Sequence, residues 1–142
     1  MFKFTKLLAA SATLALLATP AQAQEAEEAR TSYRITMIDL ADGADNRWAE
    51  LQETMFAPAR AAAGLAPVTV HWVMMNPDYD LMLVMELPRG MSTFDTHANA
   101  ERESFFAELA RMAGSDEAME ALGAEYDELI EDELVLFTHT HP

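Results

Sequence analysis

The chain contains no cysteine, and beyond residue 6 it contains no lysine. The first absence excludes disulfides, zinc–thiolate sites, thiol nucleophiles and Cys-ligated iron–sulfur clusters. The second leaves seven arginines against 24 acidic residues in positions 24–142, a formal charge of −17. A field of that sign repels phosphate backbones and anionic head groups, which argues against nucleic acid and acidic membranes as partners. No uninterrupted apolar run reaches the roughly 20 residues that a membrane-spanning helix needs, and there is no short-period repeat or low-complexity tract. The G-x-S-x-G, H-E-x-x-H, P-loop and G-x-G-x-x-G patterns are missing too. Serine hydrolase, zincin, nucleotide and dinucleotide chemistry therefore have no support, and no cofactor is expected.

What is present starts with a leader. Lys3 and Lys6 precede an uncharged apolar run over residues 7–19, then Pro20 and the small-x-small triplet Ala21-Gln22-Ala23. This is the pattern of a secretory signal peptide cut after Ala23, so the mature protein is expected in the periplasm or secreted, with no membrane insertion after cleavage. Residues 24–32 are polar and acidic and are expected to form a flexible leader. Residues 33–142 then make a single domain, because a chain of 142 residues with 51% apolar content can fill one core.

Along that domain the hydrophobic period switches several times. Residues 33–40 (YRITMIDL) read as a strand that ends in the turn-forming Asp42-Gly43 region. Trp48, Leu51, Met55, Ala59 and Ala62 repeat at three or four residues, predicting a helix capped by Asp42 or Asp45, stopped by Gly64 and kinked or ended near Phe56 by Pro58. Residues 67–75 and 80–87 predict two strands joined by a short turn at residues 76–79. Ser92 or Thr93 is expected to cap a helix through Phe94, Phe105, Leu109 and Met112, which Gly114 stops. Ser115 caps the next, with Met119, Leu122, Tyr126, Leu129 and Ile130 as its buried stripe, and residues 133–141 give a last strand.

The order βαββαβ predicts an α+β, ferredoxin-like fold, a four-stranded antiparallel sheet with helices on one face. Strand parity puts Val70 and Trp72 on one side and Thr69 and His71 on the other; Leu81, Leu83 and Met85 likewise oppose Met82, Val84 and Glu86. Both sides are largely apolar, so the helix-free face is expected to be covered by a second copy or to line a ligand cavity, and a two-fold homodimer formed sheet to sheet is predicted. Residues 70–88 (VHWVMMNPDYDLMLVMELP) also resemble the central hairpin of the dimeric α+β barrel superfamily, and Tyr79-Asp80 followed by an apolar strand and Glu86 is similar to the GYD-type domain. Pro77-Asp78 stands where that domain carries a glycine. The resemblance implies a dimeric α+β barrel. Its members span cofactor-independent monooxygenases, haem-degrading enzymes, isomerases, dehydratases and ligand-binding proteins, so the fold leaves the activity open.

The candidate site residues follow from parity. His71 and Glu86 share the helix-free face, and the hairpin register is expected to set His71 opposite either Val84 or Glu86; the second register gives a histidine–carboxylate pair capable of acid–base work in an apolar setting. The competing reading is a satisfied pair that only stabilises the interface. Arg34 and Thr36 on the first strand are expected to face the same cavity as ligand-binding residues, with Arg34 placed to hold a carboxylate or enolate, or else a rim salt bridge. His139 and His141 lie on one face of the last strand with Phe137 and could chelate with His71, but their place near the chain end and the lack of a Glu or Cys beside them argue against a metal site; His139 is kept as an expected ligand contact. His97 and Glu101 are spaced for an exposed i,i+4 pair. Most of the nine methionines after residue 1, and both tryptophans, read as core or cavity wall. Three functions remain at this point: an exported binder of a small apolar or anionic organic molecule, with a cofactor-independent oxygenase or isomerase as its enzymatic form; a non-catalytic envelope or stress protein; and a haem or metal binder.

Overall fold

A computed structural model of the chain describes residues 30–141 apart from 96 and 98. The expected signal segment, residues 1–23, lies outside them. Four strands form one antiparallel sheet: β1 (Ser32–Leu40), β2 (Thr69–Trp72), β3 (Leu81–Leu87) and β4 (Ile130–His139), in the order β2-β3-β1-β4. The first crossover carries α1 (Asp45–Leu51), a π-helical turn (Gln52–Phe56) and α2 (Ala57–Ala62). The second carries a 3-10 turn (Gly90–Phe94), α3 (Ala100–Ala113) and α4 (Asp116–Glu128). This is the ferredoxin-like arrangement that the element order predicts.

Alternation along β1 separates the two faces. Thr36, Ile38 and Leu40 are buried towards the helices, while Ile35 and Met37 between them are only half-buried. Ile38, Leu40, Ala44, Trp48 and Leu81 join sheet to helices, and Leu51, Ala59, Leu109 and Leu122 join the helices to one another. An exposed ion-pair clamp spans the second contact: Arg47 of α1 forks onto Glu125 of α4 (Nε–Oε1 2.6 Å, Nη2–Oε2 3.0 Å) and also reaches Glu50 at 2.8 Å. The Arg47 hydrogen bonds hold the Glu125 carboxyl below its ordinary value of 4.5. A depressed carboxyl contributes stability above the unfolded value and loses it as pH falls through the folded one. Glu125→Gln should therefore lower the melting temperature by at most a few degrees at pH 7. Thermal scans should show the difference from wild type shrinking once the pH falls below 4.5.

Local chemistry moves several boundaries away from expectation. Neither Asp42 nor Asp45 caps α1; Ala44 is the cap residue, and no side chain bonds there. Pro58 has no N–H to give the carbonyl of Thr54, and the chain takes up the lost bond as the π turn just ahead of Ala57-Pro58 instead of ending the helix. Ser92 and Thr93 fall in the 3-10 turn. The cap of α3 is Asn99, whose Oδ1 accepts from the backbone N–H groups of Glu101 and Arg102 at 3.1 Å each. His97 thus precedes the helix and makes no i,i+4 pair with Glu101, which faces Arg89 at 3.5 Å instead. Ser115 caps α4 as expected, and Gly114 ends α3 at φ 89°, a conformation that costs glycine nothing.

The hairpin between β2 and β3 is looser than the short turn expected. β2 ends at Trp72, and Met75 sits at φ 60°. Met74 is 81% exposed and Met75 fully so, which places Met74 outside the core that its parity suggested. Asp80 closes this loop. Its N–H donates to the Ile38 carbonyl (2.9 Å), its carbonyl accepts from Val73 (2.7 Å), and its carboxylate accepts from the Leu40 N–H (3.0 Å). The aspartate of the Tyr79-Asp80 pair is thus the pin that joins the hairpin to the end of β1. Asp80→Ala leaves a partly buried N–H without an acceptor and should cost about 1–3 kcal/mol in denaturant unfolding, whereas Asp80→Asn, which keeps an acceptor oxygen, should cost less.

Candidate functional site

Register decides which candidate residues meet. His71 stands opposite Met82 and Thr69 opposite Val84, while Glu86 pairs with Tyr33 of β1. His71 and Glu86 do share the helix-free face. Glu86 lies four residues beyond Met82 along β3, on the order of 13 Å at ordinary strand rise, so the expected histidine–carboxylate pair does not form within a protomer. Both side chains are exposed.

Arg34 and Thr36 lie on the opposite side of the sheet from that pair, where Thr36 is buried beneath the helices. Arg34 stands beside Met85 and Phe137, and His139 continues the same face of β4 opposite Ser32. The three expected ligand contacts, Arg34, Thr36 and His139, therefore share the helix-covered face, and the cavity they were to share with His71 and Glu86 is not formed. Phe137 packs edge-on against Phe94 of the 3-10 turn at 5.0 Å. His139 Nε2 lies 3.2 Å from an Arg30 guanidinium nitrogen, and its ring is 5.8 Å from that of His141. That guanidinium contact uses the lone pair a metal would take. Among the described residues no three His, Asp or Glu side chains gather as a metal site.

The space for a ligand lies elsewhere on the helix-covered side. A cavity of about 560 Å³ opens between α1, the π turn, α2 and the edge strand β2. Trp48 and Trp72 form one wall, edge to face with centroids 6.2 Å apart, and Leu65, Val68 and Val70 continue it. Its polar groups are Gln52, Glu53 and Arg60. The π turn supplies the first two, and such turns often mark functional positions because they turn side chains out of the regular helical stripe. Arg60 donates from Nε (3.1 Å) and Nη2 (2.7 Å) to the Ala66 carbonyl and stands 6.0 Å from the Phe105 ring centroid. Burial pulls the guanidinium below its ordinary range, against the favourable field of Glu101. It remains a cation at the wall of an apolar space.

Trp48 has a second neighbourhood. Its indole N–H is buried without an acceptor, as is the Nε of Arg34. Tyr126 of α4 stands beside Trp48 within the fields of Arg34 and Glu133, and burial pushes its hydroxyl above 10.0. The indole N–H is close enough to Tyr126 to favour the ionised hydroxyl, yet short of hydrogen-bond geometry, and burial outweighs it. The Arg34 side chain reaches Glu133 at 3.5 Å on its solvent side. Sequence patterning assigned Tyr126 to a buried stripe and did not single out Gln52, Glu53 or Arg60. The break that Pro58 imposes was the one signal pointing to the π turn.

No family model matches the chain, and no curated protein does. Among solved structures it is similar to a NIPSNAP family protein of unknown function from Agrobacterium tumefaciens, seen in two crystal structures. One shows 12% identity over 78% of this chain and 87% of that one with a TM-score of 0.47; the other shows 13% identity over 75% and 90% with a TM-score of 0.48. It is also similar to protein PA3566 of Pseudomonas aeruginosa, at 16% identity over 80% and 97%, with a TM-score of 0.44.

Proposed function

We propose that this is an exported protein that binds a small, mostly apolar molecule in the cavity between its first crossover helices and β2, and that it works as a homodimer. The observation that carries the reading is the cavity itself, about 560 Å³ with two tryptophans in its wall. That volume lies in the range of small-molecule sites, whose walls are mainly apolar with a few polar groups to orient the ligand. Here Gln52, Glu53 and Arg60 have that role. Acid–base catalysis by His71 and Glu86 is the less favoured form, because both stand on the other face of the sheet and apart from each other.

The sequence offers its own probe, since both of its tryptophans line the cavity. Titration with the uncharged dye N-phenyl-1-naphthylamine should quench tryptophan emission and give saturable dye fluorescence with micromolar affinity. Ala61→Trp, which places an indole at the cavity wall, should abolish saturable uptake while leaving the far-ultraviolet circular dichroism unchanged. Equal uptake by wild type and Ala61→Trp would locate the dye elsewhere and remove this reading, leaving a role in assembly alone.

A further inference from the structure

The wall of the cavity holds a cation that the fold leaves without a counter-ion. Among the described residues, Arg34, Arg47, Arg89 and Arg111 each face a carboxylate within 3.5 Å. Arg60 faces none at ion-pair distance, although the chain carries 24 acidic residues against nine lysines and arginines. Glu101, whose field reaches Arg60, is paired with Arg89. Arg102 also lacks a carboxylate, but it is exposed, and water serves it. Arg60 is half-buried and lines the cavity.

The Arg60 guanidinium is already fixed in place. Its Nε and Nη2 both donate to the Ala66 carbonyl, at 3.1 and 2.7 Å, and the group stands 6.0 Å from the Phe105 ring centroid. Two of its five N–H groups are used in this way, and the other three donate to no described residue. A pinned guanidinium suits the two oxygens of a carboxylate, and little rotamer freedom remains to be lost on binding. Ala57 and Ala61, beside Arg60 on α2, are small and leave the wall open, while Trp48 and Trp72 supply apolar surface. The opposing charge in the wall is Glu53. It is exposed to water and lies seven residues from Arg60, on the order of 10 Å along the helical segment, where solvent screens it. We propose, building on the reading of this cavity as the ligand site, that its ligand is a monocarboxylate with an apolar body, the carboxylate on Arg60 and the body against Trp48 and Trp72.

The test uses the mature chain and three probes of matched length: octanoate, octanamide and octylamine. Calorimetry should show octanoate binding at least tenfold tighter than its neutral isostere octanamide, with octylamine weakest, and octanoate should displace N-phenyl-1-naphthylamine. Arg60→Gln should bring the octanoate-to-octanamide affinity ratio close to one, and Arg60→Lys, which keeps the charge, should retain part of it. Both replacements give up the paired donation to the Ala66 carbonyl, so a merely structural role would affect them alike. Octanoate binding no tighter than octanamide, tighter binding of octylamine, a ratio unchanged in Arg60→Gln, or an equal loss in both variants would each overturn the proposal. With dye uptake still saturable and blocked by Ala61→Trp, any of those results leaves the reading of the preceding subsection standing. An octanoate preference that survives Ala61→Trp would place the carboxylate outside the cavity and overturn the proposal too, and the absence of both dye uptake and octanoate binding would remove both.

Discussion

Leu136→Arg is expected to turn a dimer into monomers. In the sheet register Leu136 stands beside Ile35, which pairs with Val84; one row on, Leu134 stands beside Met37 and Met82. These six side chains make a continuous apolar field on the face that carries no helix. Leu134 and Leu136 are 41% and 42% exposed, and Ile35, Met37, Met82 and Val84 are only half-buried. Monomers rarely leave such a surface open to water, and an antiparallel sheet with one bare face is well suited to pack on a copy of itself about a two-fold axis. The rim carries His71, Glu86 and Asp132, whose polar heads stay in water when the centre closes. An arginine at the centre would be desolvated in both copies without a partner, and native mass spectrometry should show wild-type dimers and Leu136→Arg monomers at micromolar concentration. His71→Ala, at the rim, should leave the dimer intact. A monomeric wild type would mean that this face is solvated or meets a different partner.

That same face shows what parity alone can establish. The alternation of Val70 and Trp72 against His71, and of Leu81 and Leu83 against Met82 and Val84, assigned every one of these residues to its correct side of β2 or β3. Register needed one more fact. A tight turn at residues 76–79 would have brought His71 towards Glu86, but the hydrogen bonds of Asp80 lengthen the loop and slide β2 so that His71 meets Met82. Nothing local announces a long-range bond from Asp80 to Leu40. Arg34 posed a different difficulty. Both parities of β1 are apolar, Ile35 and Met37 on one side and Ile38 and Leu40 on the other, so only the packing of Trp48 against Ile38 and Leu40 decides that Arg34 belongs under the helices. The cavity required three things at once: the helix to yield at Pro58, the edge strand to stop at Trp72, and the two tryptophans to meet. The sequence carries the cause of the first and only the ingredients of the others.

Trp48 belongs both to the core and to the cavity wall, and its two truncations should separate the contribution of ring volume from that of the N–H. The side chain is buried against Ile38, Leu40 and Leu81 and edge-on to Trp72. Trp48→Ala removes this packing and leaves a void that the rigid sheet cannot fill, so unfolding in urea should show a loss of about 3–5 kcal/mol. Trp48→Phe keeps most of the ring volume and deletes the N–H that has no acceptor. Leaving such a donor buried costs about 1–3 kcal/mol, which offsets much of the smaller ring's lost contacts, and the phenylalanine variant should come within about 1 kcal/mol of wild type. A tryptophan that served packing alone would lose stability in proportion to ring size in both variants.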